Sequence, residues 1–179
     1  MIAKEIGQMA MRLIRTYTAF RPEDLFPDRI RFTKKDTLDM DYAQLLIHRN
    51  KTNLFARMNG VRMLEVTEGF AHGEIPITHN HLNPIGSVHG GCIFTLADAT
   101  AGTAACSYGD VVTTLDSNMH YLRAGLNTTC IRCDAHVLKR GKRVHVVNVE
   151  ITSQDGRVLA SGTFTFAVID KIENSTILR

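Results

Sequence analysis

No apolar run in this chain approaches the roughly 20 residues that a membrane-spanning helix requires, so no membrane span is expected. Cysteine is scarce. The four present, Cys92, Cys106, Cys130 and Cys133, follow no secreted disulfide framework, which points to a reduced, cytoplasmic protein. Cys130-x-x-Cys133 lies in a strand-like segment whose alternation turns the two side chains to opposite faces, so it reads as two ordinary thiols. Excess charge is small too. Residues 1–55 hold ten Lys/Arg against seven Asp/Glu, and the remainder holds eleven of each, for a net +3. That is too little for a nucleic-acid footprint. Lys4, Glu5, Arg12 and Arg15 interrupt any secretory h-region, although the arginine spacing is compatible with a mitochondrial presequence. His79-x-His81 has no credible third and fourth ligand, so neither a metal nor a separate cofactor is expected.

What is present is apolar and patterned. With 44% hydrophobic residues, a chain of 179 can bury one substantial core, predicting one domain plus an appendage. Ile2, Ile6, Met9, Leu13 and Tyr17 recur at helical spacing and predict an amphipathic helix over about residues 2–18, ended by Arg21-Pro22 and Phe26-Pro27. A second helix is expected near residues 37–48, with Leu38, Tyr42, Leu45 and Leu46 on one side. Residues 1–52 thus form an N-terminal helical extension, 53–170 the main domain and 171–179 a tail. Within the domain a short helix stops at Gly60, and strands are predicted at Val61–Thr67 and Glu74–Thr78, joined through Gly69–Gly73. A nearly all-apolar helix covers roughly His89–Tyr108 and ends at Gly109.

Beyond it the period becomes two. Ile131, Cys133, Ala135 and Val137 alternate with Arg132, Asp134 and His136, and Val158, Ala160, Gly162, Phe164, Phe166 and Val168 alternate with Leu159, Ser161, Thr163, Thr165 and Ala167. Polar turns at Arg140-Gly141 and Asp155-Gly156 suit an antiparallel meander with one face on a core. A helix apolar on nearly every side must be enclosed, so the sheet should wrap around it. The fold class is α+β.

Residues 82–98 carry the chemistry. A Gly-rich turn, His89-Gly90-Gly91, opens into the apolar helix, where free backbone N–H groups can meet a ligand oxygen. Asn83 upstream offers an amide that can orient a carbonyl or a water. Asp98 sits inside the helix among Ile93, Phe94, Leu96, Ala97, Ala99, Ala101 and Ala104, where an acid is costly unless it is used or bonded to a hydroxyl such as Thr95 or Thr100. It could attack a carbonyl or draw a proton from water. Gly90 and Asp98 are eight positions apart, about 12 Å along the axis, too far to serve one carbonyl. Two protomers with opposed helices are therefore expected, Gly90 of one meeting Asp98 of the other.

Asn83-Pro84-x-Gly86-x-Val88-His89-Gly90-Gly91, followed by Leu96-Ala97-Asp98, resembles the signature of hotdog-fold acyl-CoA thioesterases of the phenylacetate-pathway (PaaI-like) family. Thr114-Leu115-Asp116-Ser117-Asn118, Lys139-Arg140-Gly141-Lys142-Arg143 and residues 156–164 are similar as well, so the resemblance spans roughly 53–169. It implies a six-stranded antiparallel sheet curled around a long central helix, assembled as a homodimer and often as a dimer of dimers. It implies Asp98 as nucleophile or general base, and the Gly90 N–H as the group that polarises the thioester carbonyl. Asn83 would position carbonyl or water, and His89 the loop. Thr114 would assist near Asp98, where many members carry serine. Coenzyme A brings phosphate charges with the substrate, making Lys139, Arg140, Lys142 and Arg143 candidates for its nucleotide end. Gly91 would face the substrate, and Met58, Leu64 and Phe94 are candidates for the acyl pocket. The extension could cap the sheet, extend the dimer contact or narrow the acyl entrance. Two other readings compete: an acyl-CoA-sensing regulator whose basic N-terminal helices touch DNA, and a hotdog enoyl-thioester hydratase.

Overall fold

The computed structural model describes residues 41–172, which fall in one compact unit. The helix expected over 2–18, its breaks and the end of the tail lie outside the described residues.

The second helix begins later than its apolar spacing suggests. Helix α1 spans Tyr42–Thr52, because the Asp41 carboxylate accepts from Gln44 N at 3.1 Å and so caps the first turn. It buries Leu45 and His48, and Tyr42 and Leu46 of the expected stripe pack half-buried on the core, while Leu38 lies outside the described residues. Asn53 ends α1 and caps α2 (Leu54–Met58), accepting from Ala56 N, so the boundary expected at 52/53 falls on a residue shared by two helices. The Asn50 side chain donates to Met63 O and accepts from Met63 N, both at 2.8 Å, and so covers the outer edge of the first strand. Arg49 Nε donates to Thr103 Oγ1 at 3.0 Å, tying α1 to the central helix.

Strands β1 (Arg62–Thr67) and β2 (Phe70–Pro76) follow. The turn between them is shorter than expected, since Gly69 alone adopts a left-handed φ of +71° and pairing resumes at Phe70. Gly73 therefore lies inside β2. A Cβ there would come 2.9 Å from Thr100 Oγ1, so its absence lets the central helix approach the sheet. That helix, α3, spans Gly90–Cys106, and the chain continues through β3 (Asp110–Tyr121), β4 (Cys130–Arg140), β5 (Val144–Ser153) and β6 (Val158–Lys171). The six strands form one sheet in the order β1-β2-β4-β5-β6-β3, each adjacent pair antiparallel.

The sheet sheathes α3. Ile75, Ile131, Cys133, Ala135, Val147, Val149, Ile151, Phe164 and Phe166 meet the helix residues Leu96, Ala97, Ala101, Ala104 and Ala105 in a single core. The alternation read for β6 breaks at its start. Leu159 is buried beside Ala160, because a register shift opposite Ile151 and Thr152 admits an extra residue. Helix α3 is buried except at Gly90, Gly91, Phe94, Thr95 and Asp98, its first two residues and one stripe. No helix among the described residues is long and apolar enough to cross a membrane.

Candidate active site

The loop before α3 is held by one side chain. Asn83 Oδ1 accepts from Ile85 N at 3.1 Å and from Ser87 N at 3.0 Å, while Gly86 turns through a left-handed φ of +75°. The carbonyl end of Asn83 is thereby spent on the loop. His89 then serves as N-cap. Its backbone N–H donates to His81 O at 2.8 Å, and its Nδ1 accepts from Gly91 N at 2.9 Å. Cys92 N and Ile93 N both donate to His89 O. Of the first-turn donors, only the Gly90 N–H lacks an acceptor among the described residues. His81 Nδ1 accepts from Thr78 N, so His79-x-His81 forms a closed local turn.

Glycine at position 90 is not demanded by packing. A Cβ built there meets only the Tyr121 ring, at 3.4 to 3.7 Å, which is ordinary contact. Cys92, two residues on, is no competing nucleophile, because burial pushes its thiol up to about 11.

Asp98 is half-buried, not sealed among its apolar neighbours as its sequence context suggests. The correction is geometric. Ile93, Leu96, Ala97, Ala99 and Ala101 point to the covered sides of α3, while Asp98 falls on the open stripe with Gly91, Phe94 and Thr95. Thr95 and Thr100 donate their hydroxyls to Gly91 O and Leu96 O within the helix. Thr114 Oγ1 donates to Asp98 Oδ1 at 2.8 Å. Strand β3 has a register shift between Thr114 and Asp116, which places Thr114, Ser117, Met119 and Tyr121 on one side. That side faces α3. At its far end Tyr121 OH donates to Gly90 O at 3.2 Å. Sequence reasoning missed Tyr121, because strict alternation sends positions 114 and 121 to opposite faces.

Other expected residues do not gather here. Met58 is 77% exposed at the end of a five-residue helix that turns only Ala56 inward. Leu64 is 46% exposed, because the register shift between Met63 and Glu65 throws it outward. It lines instead an open groove of about 630 Å³ with Arg57, Arg62, Met63 and His81, to which α3 contributes nothing. Phe94 stays near the stripe, packed against Phe164 with ring centroids 5.5 Å apart. The hairpin carrying Lys139, Arg140, Lys142 and Arg143 lies at the far end of α3. The Arg140 guanidinium sits 4.4 Å over the Tyr108 ring, just past the helix C-terminus. Within one protomer that end is about 25 Å from Gly90, at 1.5 Å per helical residue.

A sheet wrapped on one helix, a glycine-led helix mouth and an acid on the helix's open stripe define a hotdog protein of the thioester-hydrolysing type. The family model described as Thioesterase superfamily matches residues 85–160. Acyl-coenzyme A thioesterase PaaI of Escherichia coli K12 is 30% identical over 105 residues, 59% of this chain and 75% of that protein. The solved structure of the E. coli PaaI protein has a TM-score of 0.69 at 26% identity, covering 72% of this chain and 94% of that one. A Streptococcus mutans protein solved bound to acetyl CoA is 32% identical, with a TM-score of 0.60 over 62% of this chain and 90% of that one. A hypothetical thioesterase from Streptococcus pneumoniae, 29% identical with a TM-score of 0.59 over 62% of this chain and about nine-tenths of its own, was solved with alanine replacing an aspartate and, separately, a threonine sixteen positions later. The chain belongs to the thioesterase superfamily, and within it is a hydrolase of the PaaI-like kind.

Proposed function

We propose that the protein hydrolyses an acyl-CoA thioester to the free acid and coenzyme A, at two equivalent sites shared between protomers of a dimer. The observation that carries this reading is the Asp98–Thr114 pair on the open stripe of α3, beside a strand edge with no neighbour among the described residues. The sixteen-residue spacing of that pair equals the spacing of the two residues replaced in the S. pneumoniae thioesterase.

Strand β3 is long for an unpaired edge, with Leu115 59% exposed on it and Leu122 and Leu126 exposed just beyond. Such an edge invites pairing. A twofold axis perpendicular to β3, between two such edges, runs the two α3 helices in opposite directions, which brings Asp98 of one protomer to Gly90 of its partner. The same operation carries the Lys139–Arg143 hairpin of the Asp98 protomer towards its partner's helix mouth, where the nucleotide of coenzyme A would lie.

At such a site the thioester oxygen points at the Gly90 N–H and the Asn83 amide. The Thr114 hydroxyl holds Asp98 Oδ1, leaving Oδ2 to act. As general base, Asp98 takes a proton from water as the water oxygen bonds to the carbonyl carbon. The displaced electron pair settles on the oxygen facing Gly90, the C–S bond then breaks, and the departing thiolate recovers the proton from Asp98. As nucleophile, Oδ2 bonds to the carbonyl carbon directly, expels the thiolate, and water cleaves the resulting anhydride.

The test is a panel of acyl-CoA chain lengths with thiol detection, on wild type, Asp98→Asn and Thr114→Val. Turnover by wild type, a loss of several orders of magnitude in Asp98→Asn and an intermediate loss in Thr114→Val support the reading. Tight acyl-CoA binding without thiol release would make the protein a sensor. Hydration of an enoyl thioester without thiol release would make it a hydratase. Turnover in H₂¹⁸O separates the two routes, because only nucleophilic attack can place label in Asp98.

A further inference from the structure

Tyr121 lies outside the acid and the glycine motif, yet it makes two separate contacts with the residue that carries the free donor. Its hydroxyl donates to Gly90 O at 3.2 Å. Its ring stands over the Gly90 Cα, with Cε1 and Cζ at 3.4 and 3.5 Å from where a Cβ would be. Tyr121 is 53% exposed, so it is not core filler, and its ring walls the side of Gly90 on which a side chain would stand. It ends β3 on the side that also carries Thr114. Phe94 packs inward on Phe164 and His89 spends Nδ1 on Gly91 N, so neither ring provides that wall.

We propose that Tyr121 is a positioning residue for the hydrolysis, holding the Gly90 peptide through its hydroxyl and laying the thioester carbonyl against its ring. This rests on the thioesterase reading above. The two contacts do different things. The hydroxyl adds a bond to Gly90 O, which is the carbonyl of the first helical residue, and so fixes the orientation of the turn that presents the N–H. The flat ring restricts the approach of the carbonyl to one plane and excludes water from that side of the developing oxyanion. Because the donor and its support come from one protomer and the acid from the other, Tyr121 acts beside Gly90 whatever the acyl group is. The expected effect is therefore on kcat across the whole acyl panel, with chain-length preference unchanged.

The experiment compares wild type, Tyr121→Phe, Tyr121→Leu and Tyr121→Ala on the acyl-CoA that wild type hydrolyses best, recording kcat, KM, melting temperature and mass in solution. Tyr121→Phe, which keeps the ring, is expected to lower kcat by roughly 3- to 10-fold, the worth of one neutral hydrogen bond. Tyr121→Ala is expected to approach the roughly 10²-fold loss of an oxyanion donor, with Tyr121→Leu between them. KM, mass and melting temperature should hold in Tyr121→Phe. The positioning role is overturned by a kcat in Tyr121→Phe and Tyr121→Ala within twofold of wild type. It is equally overturned if Tyr121→Phe raises KM alone, or loses activity only in step with dimer mass or melting temperature. A wild type that releases no thiol from any acyl-CoA overturns the thioesterase reading together with the role built on it.

Discussion

Exchange of Gly90 for alanine separates catalysis from folding. The added methyl meets the Tyr121 ring at 3.4 to 3.7 Å, so the fold has room for it. Position 90 is the first residue of α3, where alanine is favoured over glycine by up to about 1 kcal/mol. Stability should therefore hold or rise slightly. The methyl nevertheless crowds the residue whose N–H has no acceptor among the described residues, the donor to which the proposed reading assigns the thioester oxygen. Alanine keeps the N–H, so any loss comes from crowding the oxygen off that donor, and full displacement would cost what losing an oxyanion donor costs, roughly 10²–10³-fold in kcat or about 3–4 kcal/mol of transition-state binding. Thiol release measured beside a thermal melt reads both quantities on one sample. A melting temperature at or above wild type with kcat down at least 100-fold is expected. A Gly90→Ala variant with wild-type kcat would refute the assignment of that N–H.

Other consequences follow from groups away from the reaction. Asp110 is buried and accepts from His145 Nε2 at 3.0 Å and from the half-exposed Lys171, so Asp110→Ala should cost about 3 kcal/mol, chiefly by stranding the buried His145. A denaturant midpoint shift worth under 1 kcal/mol contradicts this. Burial, then the charge of Arg49, holds the pKa of His48 below its ordinary 6.5. The unfolded chain therefore binds a proton that the folded state resists, and stability should fall as pH drops below 6.5. His48→Gln should flatten that slope of melting temperature between pH 7 and 5, and an unchanged slope counts against it. Cys92 and Cys133 are pushed by burial up to about 11 and 12, and Cys106 is raised as well. A thiol reagent at pH 8 should label only Cys130, slowly, in native protein and all four cysteines after denaturation. Fast labelling of two or more native thiols contradicts this.

Much of the fold was legible because its signals are local. The nearly continuous apolarity of residues 92–106 demands enclosure, and Ile131, Cys133 and Ala135 announce their buried face by period two. Gly109 and Asp41 show why boundaries are harder. Gly109, with φ +77°, ends α3 near where the sequence put it, whereas the Asp41 cap delays α1 past an apolar pattern that starts earlier. Irregularities in pairing were not legible. The register shifts beside Leu64 and Leu115 depend on what lies across the sheet, and each inverts the face of later residues. The first removed Leu64 from the expected pocket, and the second hid Tyr121. At the site, Gly90, Asp98 and Asn83 stood out by motif, while the openness of Asp98 depends on which side of α3 the sheet leaves bare. The hairpin cations gave no sign in sequence of lying beyond the opposite end of α3.

The most direct test of a site shared between protomers is a mixed dimer. Asp98→Ala and Gly90→Ala, each expected to be nearly inactive alone, are unfolded together and refolded at equal concentration. Shared sites give each heterodimer one site with both wild-type groups, so the mixture should recover about one quarter of wild-type activity by random pairing of a twofold dimer. Activity that stays at the level of the separate variants, in a mixture shown by mass to contain heterodimers, contradicts the account.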